Sequence, residues 1–257
     1  MTAMEAAGTA WMIPPRRLSL AFGDVHLWFV PVAPAGLAQR DLESLVSTAE
    51  RNGCRVMTRS VDRRRFLSVR GALRKVLAGY LDVPPSRLAL SRSKFGKPFL
   101  DLAWAPLEQV HFSVSHAADT AVIAVSRGLK VGVDVERVRA LHARDQVLAD
   151  FFCSAERDWV SSHADGGKDS AFFQVWTRRE ASSKAVGTRL IESLVRFSVP
   201  AMRYSPGGFP VTMPAGADPA AALQEWWIRD FAPATGHAGA LCVEKENRDP
   251  LPWRFVW

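Results

Sequence analysis

The sequence contains few cysteines and no long apolar run, and each absence excludes a class of protein. Three cysteines are scattered over 257 residues without a CxxC pair, which argues against a disulfide framework or a cysteine zinc site. No run approaches the roughly 18 consecutive apolar residues that a membrane-spanning helix requires. The first residues lack the cationic start and long apolar stretch of a secretory signal. These observations predict a cytoplasmic protein without membrane contact.

The composition is that of a folded protein with a surplus of positive charge. Hydrophobic residues make up 48% and charged residues 23%, which is ordinary for a soluble globular chain. Lysine and arginine number 33 against 26 acidic residues, so the net charge is +7. Such a surplus favours polyanionic partners, namely nucleic acid, acidic proteins or phosphorylated small molecules, and does not choose among them.

Hydrophobic periodicity predicts a chain of two comparable α+β halves. Helices are predicted at 37–51, 60–81 and 169–187, with a break at 165–167. Strands are predicted at 25–32, 110–114, 120–126, 131–136, about 224–231 and 238–244. Each half therefore combines strands with long helices, and the halves join near residues 127–130. We expect an N-terminal half at 1–129 and a C-terminal half at 130–257.

Two carboxylates alternate along the predicted strand at 131–136. Residues two apart on a strand point to the same side, so Asp134 and Glu136 face one space while the intervening valines face a core. Adjacent carboxylates repel each other unless a cation neutralises them, and such oxygen ligands suit Mg²⁺. Alternating acids also occur on solvated strands, so this pair alone leaves both interpretations open.

A third carboxylate and a lysine share one face of the predicted helix at 169–187. Glu180 and Lys184 are four residues apart, which fits either a surface ion pair or two walls of a binding site. Their neighbours are small or aromatic, so the segment is predicted to be packed, and charged groups in packed regions need partners. Combined with Asp134 and Glu136, Glu180 would complete a Mg²⁺ site, and Lys184 would reach a phosphate of the same ligand.

Three further features could bind an anion, although each also has an ordinary structural explanation. Ser115 and His116 follow the predicted strand at 110–114, and no G-x-S-x-G elbow accompanies them, which disfavours covalent serine catalysis. Lys97 projects from a turn fixed by glycine and proline. The helix at 60–81 carries a run of basic residues that includes Arg70, which would serve either nucleic acid or a phosphorylated ligand.

Five segments, in this order and spacing, resemble the single-chain, pseudo-twofold branch of the 4′-phosphopantetheinyl transferase superfamily. They are F-G-K-P at 95–98, F-S-V-S-H at 112–116, G-V-D-V-E at 132–136, F-F-C-S-A-E at 151–156 and W-T-R-R-E-A-S-S-K at 176–184. The chain departs from the family pattern at three positions. Ser113 stands where asparagine is frequent, Arg179 where lysine is frequent, and Arg189 in place of the second glycine of G-x-G-L.

The resemblance implies two similar α/β halves related by a pseudo-twofold, with the active site in the cleft between them. It implies transfer of the 4′-phosphopantetheine arm of coenzyme A to a serine of an apo carrier protein, with release of 3′,5′-ADP, by a monomeric enzyme. The partner would be an acidic acyl or peptidyl carrier protein, attracted by the positive charge, and not nucleic acid. The type of carrier and the tolerance for acylated coenzyme A stay open.

The resemblance also implies a role for each matched residue. The predicted Mg²⁺ ligands are Asp134, Glu136 and Glu180. The predicted catalytic residues are Glu180, which accepts the serine proton, with Lys184 and His116, which stabilise the leaving group. The predicted coenzyme A contacts are Lys97, Ser115, His116, Lys184 and Arg70, the last on the 3′-phosphate.

Two other functions fit parts of the sequence. The same carboxylates could serve another Mg²⁺-dependent phosphoryl-transfer or phosphoesterase enzyme. The basic helix could instead belong to a nucleic-acid-binding protein, although no RNP motif or zinc finger accompanies it. A carrier-modification assay separates all three functions.

Overall fold

Two four-stranded sheets and two 22-residue helices form the framework of the chain. The structure is a computed structural model that describes residues 9–32, 36–101, 109–190, 192–193, 197–218, 220–245 and 249–257. The helices are α1 Gln39–Leu45, α2 Thr48–Arg55, α3 Ser60–Leu81, α4 Arg144–Phe151, α5 Ser154–Ser161 and α6 Asp165–Val186, with a 3₁₀ turn at Pro85–Arg87. Within those ranges, no helix is long and apolar enough to cross a membrane.

The strands form two sheets and one short hairpin. They are β1 Val25–Pro31, β2 Leu90–Arg92, β3 Pro98–Leu100, β4 Val110–Ala117, β5 Thr120–Arg127, β6 Val131–Arg137, β7 Phe209–Pro214, β8 Leu223–Phe231, β9 His237–Glu244 and β10 Leu251–Arg254. The first sheet has the order β10–β1–β5–β4, the second has the order β6–β9–β8–β7, and β2 pairs with β3. All these pairings are antiparallel except β1 with β10. Helices combined with mainly antiparallel sheets confirm the predicted α+β class.

Three groups of apolar side chains hold the layers together. Leu73 of α3 shares one group with Ile123 of β5, so α3 covers one face of the first sheet. Val175 of α6 shares another with Ile228 of β8, so α6 covers the second sheet. The third group lies between the sheets and includes Val25, Leu27, Val122, Val131, Val133, Val135 and Leu241. The layers therefore follow the order helix, sheet, sheet, helix.

The alternation along β6 gives each face of this strand a different role. Its three valines face the other sheet, as the sequence predicted, and they are at most 1% exposed. Because side chains alternate along a strand, Asp134 and Glu136 lie on the opposite face, toward α6.

The predicted helix at 37–51 is in fact two helices, so this prediction is wrong. α1 ends at Leu45 and α2 starts at Thr48, with Ser47 as its N-cap. The backbone N–H of Glu50 donates to Ser47 Oγ at 3.2 Å, and the backbone N–H of Ser47 donates to Glu50 Oε2 at 3.0 Å. This capping box satisfies two N–H groups that a new helix start leaves without partners, and it allows the chain to turn.

The predicted break at 165–167 is also wrong, because α6 already begins at Asp165. Gly166 and Gly167 lie in its first turn, where the energetic cost of glycine is about 1 kcal/mol per residue and the long packed helix that follows compensates. Lys168 Nζ donates to Asp165 Oδ1 at 2.7 Å across the same turn.

The last strand joins the first sheet rather than the second. β10 pairs in parallel with β1, with Leu251 opposite His26 and Arg254 opposite Phe29. The end of the described chain therefore packs with the N-terminal half. The division of the chain between residues 129 and 130 stays a prediction. The pairing of β10 with β1 connects the two predicted halves.

Candidate active site

Asp134, Lys184 and Ser115 meet where β6, α6 and β4 come together. Lys184 Nζ donates to Asp134 Oδ1 at 2.7 Å, and Ser115 Oγ donates to the same oxygen at 2.6 Å. The ammonium group also lies 3.2 Å from Ser115 Oγ. Asp134 is only 3% exposed, and a buried carboxylate needs such partners. The structure thus brings together three residues that the sequence predicted for one site.

Gly132 allows α6 to approach β6 closely enough for this contact. A Cβ atom placed on Gly132 would lie 2.0 Å from the carbonyl oxygen of Ala181 and 2.4 Å from the backbone nitrogen of Ala185. Only a residue without a side chain permits this approach. Asp134 follows two residues later on the same strand face, and Lys184 lies on the helix segment that touches Gly132. The close approach therefore places the ion pair.

Two further carboxylates lie near enough to Asp134 to be affected by its charge. Burial, and after it the charge of Asp134, raises the pKa of Glu136 above the usual range. Burial also raises the pKa of Glu180; Lys184 opposes this rise, and Asp134 and Glu136 add to it. Arg139 Nη1 lies 3.4 Å from Glu136 Oε2. A further positive charge in this region would reduce the repulsion among the three carboxylates.

The Oδ2 atom of Asp134 is the best candidate in this site for a ligand to a cation. It is buried, and it has no hydrogen-bond partner among the described residues. A buried acceptor without a partner is costly, and carboxylate oxygens are ligands that Mg²⁺ prefers. Among the described residues, no three His, Cys, Asp or Glu side chains are arranged to hold a metal ion. The ligand atoms and their charges fit Mg²⁺. To bind one ion together with Asp134, the side chains of Glu136 and Glu180 would have to reorient.

His116 follows Ser115 on β4 and is affected by two cationic side chains. Burial lowers the pKa of His116, and the charges of Lys184 and Arg65 lower it further, against a smaller opposing effect of Asp134. The imidazole is therefore mainly neutral at pH 7. Arg65 of α3 was not among the predicted site residues. The two residues before it are also arginine, so the sequence gives no signal that separates it from them.

A cavity of about 350 Å³ opens beside Glu180 and Lys184. Its walls include the turn at 95–98, part of β4 and the segment at 187–190. The guanidinium carbon of Arg189 lies 5.5 Å from the ring centroid of Phe95, which is a cation–π contact between two of these walls. The ammonium group beside a cavity of this size suits a phosphorylated small molecule, whereas the carboxylate suits one only with a cation between them.

Comparisons with known proteins place this chain in a family. The family model described as "4′-phosphopantetheinyl transferase superfamily" matches residues 130–218, and the model described as "4′-phosphopantetheinyl transferase, N-terminal" matches residues 37–128. Together the two matches cover more than half of the chain. The chain belongs to the 4′-phosphopantetheinyl transferase superfamily. The predicted resemblance is thus confirmed, and the protein is a transferase of this class.

Individual relatives of the transferase agree with this assignment. The 4′-phosphopantetheinyl transferase HetI of Nostoc sp. is 28% identical over 245 residues, which cover 95% of this chain and 98% of HetI. The 4′-phosphopantetheinyl transferase gsp of Aneurinibacillus migulanus is 32% identical over 115 residues, or 45% of each chain. The putative 4′-phosphopantetheinyl transferase slr0495 of Synechocystis sp. is 30% identical over 145 residues, or 56% of this chain and 58% of the relative. The chain thus spans nearly all of HetI and less than two thirds of the other two.

Lys97 of the transferase was predicted to contact coenzyme A, and the structure shows its ammonium group bound to the protein itself. Lys97 Nζ donates to the carbonyl oxygen of Lys184 at 2.6 Å and to that of Val131 at 3.0 Å. Burial, with the nearby charges of Lys184 and Lys130, lowers the pKa of Lys97 to about 8. Two of the three ammonium protons are therefore committed to protein carbonyls. A contact with coenzyme A stays a prediction.

Arg70 of the transferase lies apart from the residues around Lys184. Arg70 Nε donates to Glu50 Oε1 at 2.6 Å, and Arg74 Nε donates to Glu50 Oε2 at 2.6 Å. Burial alone would raise the pKa of Glu50, but the two arginines and the backbone N–H of Ser47 hold it below the usual range. Arg70 lines a second cavity, of about 380 Å³, which shares no residue with the first. Its predicted role on the 3′-phosphate stays a prediction.

Proposed function

We propose that this transferase moves the 4′-phosphopantetheine arm of coenzyme A onto a serine hydroxyl of an apo acyl or peptidyl carrier protein, in a Mg²⁺-dependent reaction. The observation that carries this proposal is the cluster of Lys184, Asp134 and Ser115 beside the cavity that Glu180 lines. The cluster supplies a cation for phosphate, a buried carboxylate and a nearby base. The family assignment then favours the coenzyme A pyrophosphate as the phosphorylated group.

In the proposed reaction, the carrier serine oxygen attacks the β-phosphorus of coenzyme A. A new bond forms between that oxygen and the phosphorus, and the bond from the phosphorus to the bridging oxygen breaks. The leaving group is 3′,5′-ADP, which takes the electron pair, and the serine proton passes to a base. Such phosphoryl chemistry depends mainly on alignment and charge stabilisation.

Glu180 is suited to accept that proton. It lines the cavity beside Lys184, where the serine hydroxyl of the carrier would have to enter. Lys184 is suited to hold a phosphate oxygen, and neutral His116 can donate a hydrogen bond to the charge that develops on the leaving group. Asp134, Glu136 and Glu180 would hold Mg²⁺, which when bound supplies charge neutralisation for the pyrophosphate.

The charge and the thiols support the proposed partner and location. A net charge of +7 favours an acidic carrier protein, and this attraction should weaken with salt. Cys54, Cys153 and Cys242 are all free, which suits a reducing cytoplasm. We propose a monomer, to be tested by light scattering at working concentration.

Intact mass analysis of an apo carrier protein tests the proposed function. The protein is incubated with coenzyme A, Mg²⁺ and a panel of apo acyl and peptidyl carriers. We expect a gain of roughly 340 Da on at least one carrier, with stoichiometric 3′,5′-ADP. A carrier whose acceptor serine is replaced by alanine is the control and should keep its mass.

Two other outcomes would support the rival functions instead. Release of inorganic phosphate from coenzyme A, without a mass gain on any carrier, would indicate a phosphoesterase. Salt-sensitive binding to DNA or RNA, again without carrier modification, would indicate a nucleic-acid-binding protein. Either result contradicts the proposed transfer.

A further inference from the structure

Lys97 projects from a tight turn, residues 93–97, whose backbone is fixed by its own hydrogen bonds. Ser93 N donates to the carbonyl oxygen of Lys97 at 2.8 Å, and Gly96 N donates to that of Ser93 at 2.8 Å. Ser93 Oγ accepts the backbone N–H groups of Phe95 at 3.3 Å and Lys97 at 3.2 Å. Gly96 has a φ of 84°, in the left-handed region that favours glycine. The turn therefore holds the base of the Lys97 side chain in one place.

The ammonium group of Lys97 caps the C-terminal end of α6. This helix ends at Val186, so the carbonyl of Lys184 is among the last four, which have no N–H partner within a helix. The carbonyl of Ser183 accepts the N–H of Gly187 at 2.9 Å, whereas that of Lys184 accepts Lys97 Nζ at 2.6 Å. A positive charge at this end also complements the helix dipole.

The second hydrogen bond of the ammonium group joins this helix end to a strand. Val131, whose carbonyl accepts Lys97 Nζ at 3.0 Å, is the first residue of β6. Asp134 lies three residues further along the strand, and Lys184 belongs to the last turn of α6. One cation from the turn at 93–97 thus holds the two elements whose side chains form the Lys184–Asp134 pair.

The position of this ammonium group is unfavourable for a cation except through its hydrogen bonds. Burial disfavours the charged form, and Lys130 and Lys184 lie close enough to repel it. The described residues that line a cavity of about 240 Å³ beside it include Lys130 and His111 and no carboxylate. Since none of the described carboxylates forms an ion pair with Lys97, the two carbonyl contacts must offset the cost of burial.

We propose that Lys97 is a positioning residue, whose ammonium group fixes the end of α6 against the start of β6 and thereby sets the contact between Lys184 and Asp134. The test below has two measurements. The measurement of transfer kinetics rests on the proposed function, and the measurement of amide hydrogen exchange does not.

Amide hydrogen exchange, combined with transfer kinetics, tests this role in the full-length protein. Lys97→Met keeps the length of the side chain and removes its donors. Without substrates, we expect exchange at the last turn of α6 and at residues 187–188 to become about tenfold faster. In the transfer assay, we expect kcat to fall about 100-fold, because small misplacements of catalytic groups have effects of this size. Any rise in the KM for coenzyme A should be much smaller than the fall in kcat, because under this proposal Lys97 itself makes no contact with coenzyme A.

Two further variants separate positioning from substrate binding. Lys97→Arg keeps the charge and the donors, so it should restore much of the protection at residues 187–188 and much of kcat. Lys94→Met changes an exposed lysine of the same turn, whose Nζ lies 4.6 Å from the Phe95 ring centroid, and should leave exchange at α6 unchanged. Should Lys97→Met fail to fold, the comparison of Lys97→Arg with the wild type decides. The proposal then requires that any loss of kcat in Lys97→Arg is accompanied by faster exchange at 187–188.

A direct role of Lys97 in binding coenzyme A predicts the opposite pattern. In that case, Lys97→Met would weaken coenzyme A binding in calorimetry and leave exchange at α6 at the wild-type rate. That result would overturn the proposal. If the wild-type protein modifies no carrier, the proposed function fails, and the exchange comparison still decides whether Lys97 holds α6 against β6.

Discussion

The ammonium group of Lys184 lies 2.7 Å from Oδ1 of Asp134 and so joins α6 to β6. The same oxygen accepts the hydroxyl of Ser115, whereas Oδ2 is buried and finds no hydrogen-bond partner in the part of the chain that the structure describes. One oxygen of this carboxylate is therefore committed to protein contacts. We infer that it orients Lys184, and that the other oxygen is the one directed to a cation.

Replacing Lys184 by methionine tests the role of the Lys184–Asp134 contact. Lys184→Met removes the positive charge beside buried Asp134, so we expect the transfer rate to fall about 10²–10³-fold. The free energy of unfolding should fall by about 1–3 kcal/mol, because a buried carboxylate loses its charged donor. Mass spectrometry of the carrier and urea unfolding measure the two effects.

Lys168→Met is the matched control in the same helix. Lys168 pairs with Asp165, whose side chain is 96% exposed, so its loss should change neither quantity appreciably. A near-wild-type transfer rate in Lys184→Met would exclude Lys184 from catalysis.

If Oδ2 of Asp134 binds a cation, Mg²⁺ should stabilise the folded protein. A ligand that binds only the native state at 100 times its Kd adds about 2.7 kcal/mol to the free energy of unfolding. We therefore expect the thermal midpoint to rise with Mg²⁺ in the wild type and to rise much less in Asp134→Asn, relative to each protein in EDTA. Asp145→Asn, at a side chain that is 85% exposed, should respond as the wild type does. An equal response of all three proteins would place the bound ion elsewhere.

The lowered pKa of Lys97 predicts how stability depends on pH. The native state holds this proton less tightly than the unfolded chain does, with a pKa of about 8 against the usual 10.5. The unfolded chain therefore binds more protons between these values, and the free energy of unfolding should rise with pH in this window. Below pH 8 the unfavourable contribution of the buried charge is fully present.

Urea unfolding of the wild type and Lys97→Met at pH 7, 9 and 10 measures this effect. The groups close to Lys97 include Lys184, Lys130, His111 and Cys242, and burial raises the pKa of the Cys242 thiol to about 12, so this thiol stays protonated in the window. We expect the wild type to gain stability relative to Lys97→Met as the pH rises from 8 to 10. A constant difference would show that Lys97 has an ordinary pKa.

The sequence predicted most of the longer helices and strands and which of their residues share a face, because both depend on short-range patterns. Alternation along β6 predicted that Asp134 and Glu136 share a face, and helical spacing placed Glu180 and Lys184 together. The partner of Asp134 could not be derived from spacing alone, since Lys184 lies 50 residues further along the chain.

Long-range pairing also explains the predictions that stayed open or failed. Arg179 stands beside Glu180 where the family frequently has lysine; its side chain is 1% exposed, and its Nε donates to Glu156 at 2.9 Å. Arg70 likewise pairs with Glu50, and β10 joins the first sheet. Which buried carboxylate meets which arginine depends on tertiary packing, and neither charge nor periodicity encodes it.

Gly132→Ala provides the sharpest test of how β6 and α6 place the ion pair. The new methyl group would lie 2.0 Å from the carbonyl oxygen of Ala181 and 2.4 Å from the backbone nitrogen of Ala185, and neither backbone atom can rotate away. We expect α6 to move from β6, with a loss of about 3 kcal/mol or more in the free energy of unfolding and a loss of transfer activity. Gly53→Ala is the control, because its Cβ meets nothing within 4 Å in helix α2, and alanine should there stabilise by about 0.5–1 kcal/mol. If Gly132→Ala keeps both its stability and its transfer rate, the close approach of the two elements is not what sets the contact between Lys184 and Asp134.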